Sequence, residues 1–197
     1  MRSALSGAST ANGSWSERGV TVVPLRRRAT NPADSSWSDA QRLRYWWQAE
    51  RERLLTALSS VPANAADHPL APGAWSPRGI AAHRLFWEAE ERAALEQYLS
   101  GLNPSLLEFP VERIDPTNAA AVEALGERQL SALQRALSQL RERSRALVEQ
   151  IADTDLDTQG NPARILLGVA LEHDREHRQE LERALKLLPG RDEASRE

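Results

Sequence analysis

Three of the four histidines in this chain are placed for shared chemistry. His173 and His177 stand four residues apart in Leu171-Glu-His-Asp-Arg-Glu-His-Arg-Gln-Glu-Leu181, and His83 lies in Trp75-Ser-Pro-Arg-Gly-Ile-Ala-Ala-His-Arg-Leu-Phe-Trp87. An i, i+4 pair on a helix projects two imidazoles from one side, about 6 Å apart, close enough to share one metal ion. A third imidazole from a facing helix completes a three-His site with positions left open for water or substrate. One inward histidine is ordinarily a satisfied core residue. Three together, in an apolar setting, each need a hydrogen-bond partner, and a shared divalent metal meets that need at once. Three imidazoles suit Zn, Ni, Fe or Co, and affinity order alone does not choose among them.

Carboxylates on the same stripes are the next candidates. At about 100° per residue from His173, His177 falls near 40° and Glu180 near −20°. Measured from His83, Trp87 falls near 40° and Glu90 near −20°. Glu180 and Glu90 are therefore candidate fourth ligands, partners that orient an imidazole, or proton acceptors, with an ion pair to arginine as the plainer alternative. Arg84 and Arg178 flank the ligand positions and read as solvated helix faces. His68, before Pro69, reads as a surface residue. The segment also spells H-x-x-E-H, a short motif of inverted zinc peptidases. Those enzymes take another acidic ligand from a large downstream domain, so this match is set aside.

The elements that must hold these residues are helical. Ser38-Asp-Ala-Gln41 reads as a capping box opening a helix over about 39–59, with Leu43, Trp46, Trp47, Leu54 and Leu58 inward. Ser76 caps a second helix with Pro77 at its first position, and Gly101 ends it. Residues 102–116 hold three prolines and read as a loop. Thr117 opens a third region to about 152, broken or kinked near Gly126, with Leu125, Leu133, Leu137, Leu140, Leu147 and Ile151 inward. Asp153 to Gly160 reads as a turn, and Asn161-Pro162 starts a fourth helix ending near Leu188 before Pro189-Gly190. Four amphipathic helices without a credible strand predict an all-α four-helix bundle, with one of the long loops forming a lid or a crossover.

Composition narrows the rest. Cysteine is absent from the 197 residues, which excludes disulfides, thiolate metal sites and a cysteine nucleophile. The net charge of −3 comes from interleaved acids and bases, which gives no argument for nucleic-acid binding. No apolar run approaches the roughly 20 residues that span a membrane. Residues 1–36 and 190–197 read as tails around a domain at 37–189. Arg26, Arg27 and Arg28 lack the apolar region a twin-arginine signal needs, so the expected location is the cytoplasm. A homodimer is expected, with a small molecule as substrate.

Ala74-Trp-Ser-Pro-Arg-Gly-Ile-Ala-Ala-His83 with Trp87-Glu88, the connecting Phe109-Pro-Val-Glu-Arg-Ile-Asp-Pro-Thr-Asn118, and Glu172-His-Asp-Arg-Glu-His177 together resemble the DinB superfamily over about residues 37–188. The resemblance implies a DinB-like four-helix bundle holding a divalent metal on His83, His173 and His177. It also implies a transferase or isomerase using a low-molecular-weight thiol such as mycothiol, bacillithiol or glutathione. The amino-terminal domain of ergothioneine-pathway sulfoxide synthases is similar too, with H-x-x-x-H-x-E on its last helix. This chain has Gln179 at the Glu position and Glu180 one place later. A thiol transferase is therefore the expected activity. The alternatives are a metal-dependent hydrolase of small substrates and a non-enzymatic, stress-related metal-binding protein.

Overall fold

The computed structural model describes residues 37–187, all helices and loops. The expected tails at 1–36 and 190–197, the triple arginine and the Leu188–Gly190 helix stop lie outside the described residues. Six α-helices follow in order: α1 Asp39–Ser59, α2 Pro77–Leu99, α3 Ile114–Leu125, α4 Leu130–Val148, α5 Asp153–Asp157 and α6 Pro162–Leu187. Single 3₁₀ turns occur at Ala63–Ala65, Ser105–Glu108 and Val111–Arg113.

Local sequence explains most boundaries. Ser38 and Gln41 form a reciprocal capping box on α1. Ser76 accepts from the Gly79 N–H, with Pro77 behind it, to open α2. Gly101, at φ 76°, closes that helix in the left-handed conformation that glycine adopts without strain. Asn161 accepts from Ala163 N–H at 2.9 Å and starts α6. Two expectations shift. The third region begins at Ile114, not Thr117, because Pro116 is tolerated within a first helical turn. It then breaks at Gly126, where a Cβ would stand 2.4 Å from the Val122 carbonyl oxygen. The expected turn at 153–160 contains the short helix α5, whose Asp157 accepts from Ala40 N–H at the start of α1.

Helices α1, α2, α4 and α6 form the bundle. α1 packs on α6 and α4, and α2 packs on α4 and α6, so α1 faces α2 across the diagonal. Arg164 meets Asp39 and Arg178 meets Glu50, so α1 and α6 run parallel. Asn161 meets Tyr98 while His173 meets His83, so α2 and α6 run antiparallel. Ile80 clusters with Leu133 and Leu137 while Glu88 meets Ser144, so α2 and α4 also run parallel. Joining two parallel helices requires a connection the length of the bundle. Residues 100–129, with α3 packed on α2, make that crossover.

The core is divided. One apolar cluster gathers Leu43, Trp47, Leu95, Val148, Leu156, Leu167 and Leu171. A second gathers Leu54, Leu58, Ile80, Leu133, Leu137 and Leu181 toward the other end. Between them, all four bundle helices contribute buried polar side chains: Arg51, His83, Arg84, Glu88, Glu91, Arg141, Ser144, His173, Asp174 and His177.

Candidate metal centre and its charged support

His83, His173 and His177 converge where α2 meets α6. Their ring centroids stand 4.8, 5.1 and 4.9 Å apart, a nearly equilateral triangle. Each offers one nitrogen within 4.8 Å of the others, and all three rings are buried. His83 Nε2 lies 2.6 Å from His173 Nε2. Burial holds both of these imidazoles well below the ordinary histidine value, so both are neutral at neutral pH. Neutral imidazole nitrogens aimed at a common point are the donor set a divalent ion requires. Nitrogens on one zinc ion stand about 3.3 Å apart, so the His83–His173 pair needs to open only slightly.

The surroundings orient the rings. Glu180 Oε2 accepts from His177 Nδ1 at 2.9 Å, which leaves the other nitrogen of His177 for the centre. Trp75, last residue but one before α2, lays its ring 4.2 Å from His83 and 5.9 Å from His177. Trp75, at the end of the 60–76 loop, therefore covers one side of the cluster, and the backbone bonds Leu70 N–H to Trp75 O and Arg78 N–H to Ala66 O fix that loop. Trp87, edge-on to His83, donates Nε1–H to Asn118 of α3 at 2.8 Å.

Beneath the histidines lies a charged layer that no sequence argument anticipated. Asp174, next to His173, accepts from Arg51 Nε and Nη2, Arg84 Nε and Arg141 Nη2, all at 2.9 Å. Glu88 accepts from Arg51 at 2.8 Å and Ser144 at 2.7 Å, and pairs with Arg141 at 3.0 Å. Glu91 accepts from Arg84 at 3.2 and 3.3 Å. Three guanidiniums thus face three carboxylates. Burial would raise Asp174, but the three cations, Arg51 first, hold it below the usual carboxylate range. Burial pushes Glu91 up against the pull of Arg84. Burial also pulls Arg141 down to about 10, and its plane stacks 3.8 Å over the Trp47 ring.

The sequence-derived candidates separate accordingly. His83, His173, His177 and Glu180 come together. Glu90 is exposed on the outer face of α2. Arg84, expected on a solvated face, is fully buried and reaches His173, whereas Arg178 pairs with Glu50 and Glu182 near the surface. His68 is exposed as expected. Arg51, Glu91 and Arg141 are not singled out by the sequence, and Glu88, Asn118 and Asp174 stand only inside the quoted motifs, without a role. The only hint in the sequence was Arg84, Glu88 and Glu91 at helical spacing beside His83.

Among the described residues, no helix is long and apolar enough to cross a membrane. No curated protein matches the chain in sequence. The DinB superfamily profile matches residues 46–181, from within α1 to within α6, and this span takes in all three histidines and the charged layer. The chain belongs to the DinB superfamily.

Proposed function

We propose that this protein is a divalent-metal-dependent transferase acting on a low-molecular-weight thiol. The observation that carries the reading is the convergence of three buried imidazoles on one point, with the Glu180 carboxylate attached to His177 and partly open to solvent. A bound divalent ion supplies the chemistry of favouring a thiolate at neutral pH. His83, His173 and His177 hold that ion. Glu180, bonded to His177 Nδ1 on the side away from the centre, keeps that ring in place, and the thiol proton passes to solvent. Glu90 is left out of this assignment, because it is exposed on the far side of α2. Trp75 and Trp87 wall the cluster with apolar surface that limits water around the reacting sulfur.

One rival draws on a specific observation. All three histidines are buried beneath Trp75, with His83 only 1% exposed, which suits a protein that holds metal without turnover. The deciding experiment starts with metal content by mass spectrometry of untagged protein beside His83→Ala and His173→Ala. A screen of small thiols against electrophiles, esters and amides follows. About one metal per chain, lost in both variants with helicity kept, together with thiol consumption, supports the transferase. Hydrolysis without thiol use replaces it with a metal hydrolase, and bound metal without any turnover favours the binding protein. No uptake of Zn, Ni or Fe(II) removes the metal reading.

A further inference from the structure

The three imidazoles differ on the side that faces away from their common centre. His177 Nδ1 meets the Glu180 carboxylate, so Nδ1 carries the proton and Nε2 keeps its lone pair. His173 Nδ1 meets a guanidinium instead, Arg84 Nη1 at 2.5 Å. A guanidinium only donates, so His173 Nδ1 accepts and the neutral ring holds its proton on Nε2. That proton fills the short contact to His83 Nε2, which places the His83 proton on Nδ1, an atom without a well-formed hydrogen bond. Two rings therefore already have the tautomer that a ligand bound through Nε2 needs. His173 has the other.

A ligating histidine ordinarily passes its second N–H to a carboxylate or carbonyl, which strengthens it as a donor. At His173 that place belongs to a fixed cation. Arg84 is fully buried, and its bonds to Asp174 and Glu91 hold it against the ring. Positive charge at Nδ1 draws electron density out of the imidazole and repels a second cation at Nε2. We infer that Arg84 makes His173 the weakest of the three donors, so that the centre holds its ion less tightly and keeps it more electron-poor than three carboxylate-backed histidines would. Arg84 is a positioning residue that acts through His173, and the inference rests on the three-His metal reading above.

The test is zinc affinity of the full chain by competition with a chromogenic chelator, with Co(II) absorption reporting the ligand set. Arg84→Met is compared with wild type and with the double variant Arg84→Met/Glu91→Met. The double variant removes a cation together with the carboxylate bonded to it, and so keeps the buried layer balanced. Both variants are expected to bind zinc about tenfold more tightly than wild type, the reverse of the usual loss when an outer partner is removed, with the Co(II) spectrum still that of three nitrogen ligands. Equal or weaker binding by the double variant overturns the inference, since weaker binding is what a purely structural Arg84 predicts. A wild-type chain that takes up neither zinc nor cobalt defeats the metal reading itself, a result distinct from any difference between variants.

Discussion

Arg51 and Asp174 meet edge to edge, Nε and Nη2 of the guanidinium each 2.9 Å from one carboxylate oxygen, although one lies in the first helix and the other in the last. Asp174 also takes bonds from Arg84 and Arg141, so it is the anion on which three buried cations depend. Removing one partner of a buried ion pair costs far more than the pair contributes, because the remaining charge stays in low dielectric. Asp174→Asn should destabilise the fold by about 3–5 kcal/mol. Urea unfolding followed by circular dichroism measures this, and a loss below about 1 kcal/mol would mean that the layer is well hydrated.

Acid should weaken the metal-free protein in two stages. Burial lowers His83 and His173 in the folded state, so below about pH 6.5 the unfolded chain takes up protons that the folded chain resists. Stability is therefore full above that pH and falls as pH drops, by about 1.4 kcal/mol per unit for each ring. Asp174 has a depressed folded value, so its contribution persists above the ordinary carboxylate range and disappears only as pH falls through that lower value. Glu91, raised by burial, has the opposite sign and offsets part of this loss as pH falls from its raised folded value toward the ordinary one. Urea midpoints at pH 7.5, 6 and 5 should decline steadily, and a flat profile contradicts the first stage.

Trp75 offers an optical report on the cluster. Its ring lies in contact with His83, so a paramagnetic ion such as Cu(II) or Ni(II) at the histidines should quench it strongly. Titration of wild type should lower fluorescence to a stoichiometric end point, and Trp75→Phe should lose a clear part of that change, Trp87 beside His83 carrying the rest, while binding the same amount of metal. Equal quenching in both proteins would place the ion elsewhere.

Glu180 and Glu90 should part company. Glu180→Gln weakens the partner of His177 and should lower metal affinity about 10–100-fold, the usual effect of losing a carboxylate behind a ligating histidine. Glu90→Gln alters an exposed side chain and should leave affinity within twofold. Chelator competition on the two variants reads both numbers, and the reverse ranking would exchange their roles.

The caps at Ser38, Ser76 and Asn161 were legible because they depend on neighbours a few residues away. The histidine triangle was legible because i, i+4 spacing and two inward stripes are local as well. The error lay in where each buried arc is centred. On α6, taking His173 as 0°, the buried residues Ala163, Leu167, Asp174 and Leu181 fall near 80–120°. On α2, taking His83 as 0°, Arg84, Glu91 and Leu95 fall near 80–120° as well. The histidines thus occupy the edges of arcs whose centres are partly charged. Arginine and carboxylates rarely lie inside proteins unless paired, and the pairing joins residues from different helices, which periodicity within one helix does not reveal. Glu90 and Glu180, near −20°, fall just beyond the buried edge for the same reason.

The parallel run of α1 and α6 gives the chain a late-closing fold. Arg51 finds its main anion only when the last helix docks, and contacts so distant in sequence form slowly. Before that step, α1, α2 and α4 carry three guanidiniums against two carboxylates, so collapse around them alone would bury an unmatched positive charge. Docking of α6 delivers the missing anion together with two of the three imidazoles. Completion of the histidine cluster and closure of the core are therefore one event, and a partly synthesised chain has reason to keep its interior open until that event occurs.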